Sequence, residues 1–158
     1  MTTPAKVRQV VHGDFTIERH YPASPTRVFG AFTSLEAKKQ WFGAPDEHNE
    51  AGHELDFRVG GVEVNIGKHA GTTYRYVAII MDLVPNERIV SSYEMYANDD
   101  RISVSIAAYE FIPEGDGCRL VLVEHGAFLD GFDTIEQRHE GTEQLLNSLG
   151  DALVDGRV

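Results

Sequence analysis

The feature that most constrains this chain is a run of alternating segments between residues 54 and 127, each separated from the next by a few turn-forming residues. Successive side chains of an extended strand point to opposite faces, so this alternation predicts half-buried strands. The separators contain Gly, Pro, Asn or Asp, which favour turns. Short connections of this kind predict an antiparallel meander. We place its strands near residues 54–59, 62–67, 73–84, 87–96, 101–112 and 118–127.

Other elements flank this meander. A first strand is predicted over residues 14–21. Ser24 and Ser34 are good N-caps, and they predict two short helices, the second ending near Trp41 and Phe42. A final helix of roughly 20 residues follows, where Asp133 and Glu136 have the spacing of a capping box.

The final helix has an uneven apolar face. Leucines fill the C-terminal half of its inner stripe, whereas the N-terminal half carries small or polar groups. Packed cores tolerate few voids, so either a cavity lies beneath the first half or the first turns extend past the sheet. The predicted stripe is Ile135, His139, Thr142, Leu146, Leu149 and Leu153.

Composition limits the classes of partner. A chain of 158 residues fits a single domain, with its core over about residues 14–155. The net charge of -11 disfavours nucleic acid and anionic membranes, which would repel it. Cys118 is the only cysteine, which excludes an internal disulfide and a cysteine-rich zinc site. With no apolar run of membrane-spanning length, we expect a cytoplasmic protein. The chain also has no zinc-binding, calcium-loop or phosphate-binding motif, and we expect no cofactor.

The segment "DFRVGGVEVN", residues 56–65, predicts a hairpin with Gly60-Gly61 as a two-residue turn. Such a turn places Arg58 across from Glu63. By default the valines after the turn face the core, and this polar pair lies on the wet face. The alternative turns the polar face inward as a ligand-orienting cluster, and the burial of Arg58 decides between the two. That cluster would comprise Asp56, Arg58, Glu63 and Asn65.

Four segments carry a family resemblance: "IERHYPASPTRVFGAFTSLEAKKQWFG", "DFRVGG", "YVAIIMDLVPNERIVSSYEM" and "CRLVLVEHGAF". From about Phe15 to Leu153 the chain resembles the activators of the heat-shock protein ninety ATPase. These belong to the START-like superfamily, with polyketide cyclases and birch-pollen-allergen-like proteins. The resemblance implies an α+β helix-grip fold, in which a curved antiparallel sheet wraps around the long C-terminal helix and an apolar cavity. Many relatives carry aromatic or apolar groups where this chain has Glu63 and Asn65.

Glu124 is the strongest candidate for chemistry. It shares a strand face with Leu120 and Leu122, which we expect to point into the grip. A carboxylate in an apolar wall has a raised pKa and can serve as a general acid or base. Two structural alternatives are an ion pair with an arginine such as Arg58, or a position at a solvent-exposed strand end.

Aromatic and polar side chains complete the predicted ligand-binding set. Large aromatics near the helix ends form either the cavity rim or plugs of the core, and the tyrosines either grip a ligand or form cross-strand pairs. A histidine of the last helix is either a pocket donor or a surface residue. The set is Trp41, Phe57, Arg58, Glu63, Tyr74, Tyr76, Tyr93, Leu122, Glu124, Phe128, His139 and Thr142.

One loop combines histidines with acidic residues: Glu47, His48, Glu50, His53 and Glu54. A metal ion needs three or four converging ligands, and a flexible loop does not hold them. We therefore expect this loop to be solvated and to bind no metal.

Three functions remain open at this point. The leading one is binding of a small hydrophobic or amphipathic molecule between the sheet and the last helix. The second is a cyclase-like or dehydratase-like enzyme that uses Glu124. The third is a co-chaperone-like contact through the sheet exterior that activates a chaperone ATPase. Self-association as a homodimer is a further option that the sequence leaves open.

Overall fold

The computed structural model describes residues 8–43 and 52–158. The strands and helices follow the predicted order. The first strand of the chain and the last strand of the meander are longer than predicted, whereas the first strand of the meander is shorter. Within these residues no helix is long and apolar enough to span a membrane. The elements are β1 (Val10–Tyr21), α1 (Pro25–Thr33), α2 (Leu35–Lys38), β2 (His53–Leu55), β3 (Val62–His69), β4 (Thr72–Val84), β5 (Arg88–Ala97), β6 (Asp100–Glu114), β7 (Gly117–Leu129) and α3 (Ile135–Val154).

The strands form one antiparallel sheet in the order β1-β7-β6-β5-β4-β3-β2. Strands β2 to β7 are sequential neighbours, which confirms the meander, and β1 closes the sheet beside β7. Helix α3 lies against the sheet near β1, where the Tyr21 hydroxyl donates a 2.7 Å hydrogen bond to the Leu146 carbonyl. This is the helix-grip architecture that the sequence predicted.

The C-terminal half of α3 supplies the core. Leu146, Leu149 and Leu153 are almost completely buried, and so are Leu120 and Leu122 of β7, in the same core cluster. The leucine-rich part of the predicted helix stripe is therefore confirmed as a core face.

The glycine hairpin differs from the prediction in its register. Strand β2 ends at Leu55, which pairs with Glu63, three residues earlier in the chain than the predicted partner Arg58. Residues 56–61 form a longer loop, in which the Gly60 amide donates a 2.7 Å hydrogen bond to the Ile80 carbonyl of β4. Gly61 is required here because a Cβ would lie 1.9 Å from the Asp56 carbonyl oxygen. A loop rather than a two-residue turn thus sets the pairing.

A register shift by an odd number of residues turns the other face of a strand inward. Glu63 and Asn65 are accordingly only 4% and 7% exposed, whereas Val62 is 43% exposed on the outer face. The default assignment of the β3 faces was therefore wrong. Arg58 nevertheless stays exposed, in a 2.8 Å ion pair with Asp56, so the four polar residues do not form one cluster.

The N-cap of α3 lies one residue later in the chain than predicted. Thr134 is the N-cap, and its hydroxyl accepts a hydrogen bond from the Gln137 amide at 3.1 Å. Asp133, predicted to be the cap, instead accepts a hydrogen bond from the Thr134 amide and pairs with Arg138. The Asp133 carboxylate is therefore turned toward the interior side of the helix.

Candidate functional site

A cavity of about 580 Å³ lies between the sheet and the N-terminal half of α3. It lies where the predicted stripe of α3 is poor in apolar side chains, so a cavity rather than an overhanging helix explains that pattern. Its mouth is marked by exposed lining residues at the end of β3 and on α3, among them Lys68, His69, Gly141 and Gln144. The deeper walls come from β4 to β7, and include Tyr76, Tyr93, Met95, Ala107, Tyr109 and Glu124.

The polar end of the cavity is built on Glu124, which is 2% exposed. The Tyr93 hydroxyl donates a hydrogen bond to Oε1 of Glu124 and accepts one from Nη1 of Arg138 at 2.8 Å. Arg138 Nη1 lies 3.8 Å from Glu124 Oε1. The other carboxylate oxygen, Oε2, has no hydrogen-bond partner among the described residues. Glu124 therefore offers one uncommitted oxygen to the cavity.

Arg138 is fixed from several directions. Its Nη2 donates to Ser103 Oγ at 2.7 Å and to Asp133 Oδ2 at 2.9 Å. Its guanidinium carbon lies 5.3 Å from the centre of the Phe128 ring, within cation–π range. A buried charge held by a carboxylate, two hydroxyls and an aromatic ring has one preferred position. This network joins α3 to β5, β6 and β7 at the polar end of the cavity.

Burial dominates the protonation of this site. It raises the pKa of Glu124 above its ordinary value, although the Tyr93 hydrogen bond and the Arg138 charge oppose that shift. Burial likewise raises the pKa of Tyr76 and Tyr109, with nearby carboxylates adding to the effect. The phenols are thus neutral at physiological pH, and Glu124 has an increased affinity for a proton.

An aromatic surface runs from the mouth to the polar end. The ring centres of Phe42 and Tyr76 are 5.1 Å apart, and those of Tyr76 and Tyr93 are 5.0 Å apart. Tyr109 and Met95 extend this surface across β6 and β5. Aromatic side chains supply large apolar contact area, and the tyrosine hydroxyls supply polar tips. The cavity is therefore amphipathic, apolar along its length and ionisable at its end.

Several residues of the predicted set come together here. Glu124 and Leu122 point to the concave face as expected, and Glu124 pairs with Arg138 rather than with Arg58. The Thr142 hydroxyl lines the cavity while donating to the Arg138 carbonyl at 2.8 Å. The predicted residues that line the cavity are Tyr74, Tyr76, Tyr93, Glu124 and Thr142.

The other predicted aromatics are packing residues or lie apart. Trp41 is a plug, since its Nε1 donates to the Ala31 carbonyl at 2.9 Å and its ring packs on Phe32. Phe128 is 2% exposed and packs beneath Arg138 rather than at the rim. Phe57 is half-buried and packs edge-on against Phe29. None of these three, nor the core residue Leu122, lines the cavity.

Three predicted polar residues, Arg58, His139 and Glu63, also lie outside it. Arg58 is on the surface, and its side chain is 67% exposed. His139 stacks on Phe15 with ring centres 4.8 Å apart, and its Nε2 lies 2.8 Å from Glu143. In this part of α3 the buried position is Arg138 rather than the predicted His139, whereas Thr142 and the leucines of the predicted stripe are buried.

Glu63 belongs to a second buried cluster. Its carboxylate lies 2.5 Å from Lys38 Nζ and 2.7 Å from His53 Nε2. Burial alone would raise the Glu63 pKa, but Lys38 and His53 reverse the effect and lower it. A void of about 20 Å³, close to the size of one water, separates this cluster from the rings of Tyr76 and Tyr109.

His53 corrects one expectation about the acidic loop, because it is 5% exposed rather than solvated. Its pairing with Glu63 explains the burial. Glu47, His48 and Glu50 lie outside the described residues. In the part of the chain that is described, no group of three or more His, Cys, Asp or Glu side chains is placed to hold a metal ion.

Sequence reasoning missed Arg138, the residue that organises the polar end. A signal was available, because Arg138 precedes Thr142 by four residues and so occupies the same helical face. A search for apolar positions alone passes over an arginine. Tyr109, Met95 and Asp133 were missed as well, since nothing in their local patterns distinguishes a cavity wall from a core face.

Comparisons with known proteins give the family. The model of the Activator of Hsp90 ATPase homolog 1-like protein family matches residues 22–154. The chain is similar to Mll3558 from Rhizobium loti, at 43% identity and a TM-score of 0.83 over 90% of this chain and 98% of that one. A protein from Rhizobium leguminosarum is 39% identical, with a TM-score of 0.86 over 91% and 95% of the two chains.

A more distant structure shares the fold alone. Ara h 8.0201 is 10% identical, with a TM-score of 0.72 over 92% of this chain and 99% of that one. No curated protein matches the chain. The family model and the two rhizobial structures agree over nearly the whole length, and the chain therefore belongs to the Activator of Hsp90 ATPase homolog 1-like family.

Proposed function

We propose that this protein binds a small amphipathic molecule in the cavity between the sheet and α3. The observation that carries the proposal is a cavity of about 580 Å³ with aromatic walls and a buried carboxylate at its end. Small-molecule sites commonly have volumes of about 300–1,000 Å³ and combine apolar walls with a few polar groups. The fold is also that of a superfamily with ligand-binding members. Burial of apolar ligand surface would supply most of the affinity.

Filling the cavity tests the proposal. Ala107 is 3% exposed and lines the cavity from β6, so Ala107→Phe places a ring inside it. Ala108, the next residue, faces the outer side of the sheet and provides the matched control Ala108→Phe. The neutral fluorophore Nile red should bind the wild type and the control, and bind Ala107→Phe at least about tenfold more weakly because the space is occupied.

A second variant fills the cavity from the helix side, so that the test does not depend on correct folding of Ala107→Phe alone. A Cβ at Gly141 would meet no atom within 4 Å, so Gly141→Phe can narrow the cavity from the helix side. Both filling variants should keep the wild-type circular dichroism spectrum. Equal Nile red affinity in the wild type and both filling variants would refute binding in this cavity.

One observation favours an enzyme as a second candidate. Glu124 and Tyr93 are two ionisable groups that line one cavity and share a hydrogen bond, as proton transfer requires. An enolisable bicyclic ketone such as 2-tetralone is a simple probe. Wild-type protein would accelerate exchange of its α-protons in D₂O, and Glu124→Gln would abolish that acceleration while leaving probe binding. Exchange no faster than in buffer would reject this candidate.

The family description supplies a third candidate, activation of a chaperone ATPase. Exposed apolar side chains of the outer sheet face, including Val62, Ile79 and Ile106, would offer the contact surface. Stimulation of an Hsp90-type ATPase by the wild type, lost in Ile79→Glu, would support this function. A flat response across a wide range of concentrations would dismiss it.

A further inference from the structure

The charges at the polar end of the cavity do not cancel. Arg138 is shared between two carboxylates, and Asp133 Oδ2 lies 2.9 Å from its Nη2. Glu124 is farther away, at 3.8 Å from Nη1. When Glu124 is ionised, these three buried or half-buried groups carry a net negative charge. The Tyr93 hydroxyl lies between Arg138 and Glu124 and stabilises Oε1 without removing that charge.

The uncommitted oxygen sets the polarity of the ligand. Glu124 Oε2 is without a hydrogen-bond partner among the described residues, and the side chain lines the cavity. A carboxylate oxygen accepts hydrogen bonds, so the complementary ligand group is a donor. A donor that also carries positive charge forms the stronger bond. An anionic group would instead lie beside a cluster of Arg138, Asp133 and Glu124 whose net charge is already negative when Glu124 is ionised.

The aromatic walls favour the same sign of charge. The rings of Phe42, Tyr76 and Tyr93 adjoin one another along the cavity wall, with neighbouring ring centres 5.0–5.1 Å apart. The π face of an aromatic ring attracts cations, and the attraction grows when water is excluded. Two of these rings already have internal cations near them, since Lys38 Nζ lies 4.6 Å from the Phe42 centre and Arg138 Cζ lies 5.5 Å from the Tyr93 centre.

We infer that the ligand is a protonated amine on an aromatic or alicyclic body, with its N–H donated to Oε2 of Glu124. The inference rests on the proposed function, because it names the class of molecule for the same cavity. The apolar body lies along Tyr76 and Tyr109, and the ammonium group reaches the polar end. The net charge of -11 also attracts cations to the protein at low ionic strength.

Three naphthalene probes that differ only in their polar group test the inference. They are 2-naphthylmethylamine, a cation; 2-naphthalenemethanol, which is neutral; and 2-naphthoate, an anion. We expect the amine to bind most tightly by calorimetric titration and the naphthoate most weakly, at least about tenfold apart, as for a charged hydrogen bond.

Two variants separate the local effect from overall charge. Glu124→Gln should reduce the affinity for the amine to about that for the alcohol, while the affinity for the alcohol changes little. Glu140→Gln removes the same unit of charge from the exposed face of α3 and should leave all three affinities unchanged.

The outcomes distinguish this inference from the proposed function. Binding of the alcohol together with equal or tighter binding of the naphthoate would overturn the amine class and leave the binding function standing. An amine affinity unchanged by Glu124→Gln, or no tighter than that of the alcohol, would also overturn it. Failure of all three probes to bind would contradict the binding function itself, and the inference with it.

Discussion

Glu63 and Glu124 are both buried carboxylates on the concave face, yet their surroundings shift their pKa values in opposite directions. Lys38 and His53 contact Glu63 directly, and they lower its pKa despite burial. Glu124 has one neutral hydroxyl donor and a more distant arginine, so burial prevails and its pKa is raised. Glu63 is therefore suited to holding structure, whereas Glu124 is suited to meeting a ligand.

Replacing Glu63 should destabilise the protein. Glu63→Gln leaves the Lys38 ammonium buried without its charge partner, which we expect to lower the free energy of unfolding by about 3 kcal/mol at neutral pH. A carboxyl whose pKa is lowered on folding stabilises above its unfolded pKa, and that contribution is lost as pH falls through the folded pKa. The difference measured by urea denaturation should therefore shrink in acid.

A double variant checks the cause. Lys38→Met combined with Glu63→Gln removes both charges and should cost less than the sum of the two single changes. Strictly additive costs would show that the Lys38–Glu63 contact contributes nothing specific.

Replacing Glu124 should have the opposite effect on stability. Because its pKa is raised on folding, the folded state binds the proton more tightly, and the free energy of unfolding falls as pH rises between the unfolded and folded pKa values. Glu124→Gln removes this penalty and should stabilise the protein by about 1 kcal/mol at neutral pH. At about pH 3, below the ordinary glutamate pKa and so with the carboxyl protonated in both states, the two melting temperatures should converge. A variant less stable than the wild type at neutral pH would contradict this pKa direction.

At the scale of elements, helix α3 combines a core half with a cavity half. Gly141 lies in the cavity half, where an added Cβ would meet no atom within 4 Å. Gly150 lies in the core half, where an added Cβ would be 3.2 Å from the Tyr21 ring. The same residue type on one helix therefore serves two different purposes.

Alanine substitutions at these two glycines should differ. Gly141→Ala should stabilise the protein by about 1 kcal/mol, because alanine favours the helix and the site has room. Gly150→Ala should gain less or lose stability, since its Cβ crowds the ring that anchors α3 through the Leu146 carbonyl. Thermal denaturation of both variants measures the difference, and a destabilised Gly141→Ala would show that the cavity half of α3 is not an ordinary helix.

Local sequence patterns predicted most of the helices and strands. They failed where a tertiary contact determined the register of two strands. Alternation and turn residues predicted β3 to β7, and cap residues predicted the helices. The predicted pairing of β2 with β3 was wrong because the backbones of Gly60 and Gly61 form hydrogen bonds with Ile80 of β4. The local sequence of a hairpin carries no information about a contact with a third strand. That contact shifts the register and turns Glu63 and Asn65 inward.

At the scale of the whole molecule, the order of elements predicted the helix-grip fold. The uneven face of α3 predicted either a cavity or an overhanging helix, and the structure has the cavity. The composition of its polar end was only half predictable. Glu124 could be placed by alternation along β7. The helical face of Arg138 could be inferred from its spacing to Thr142, but its role could not, because that role depends on Tyr93 and Glu124 of distant strands. Polar interior networks depend on several distant elements at once, so no single segment encodes them.

The central claim is that the cavity beneath α3 is a binding site, and amide chemical-shift mapping with 2-naphthalenemethanol tests it most directly. Saturable shifts should cluster on cavity-lining residues such as Tyr93, Ala107, Glu124, Arg138 and Thr142, and be absent in Ala107→Phe protein. Shifts confined to the outer face around Val62, Ile79 and Ile106, or the same shifts in both proteins, would contradict the claim.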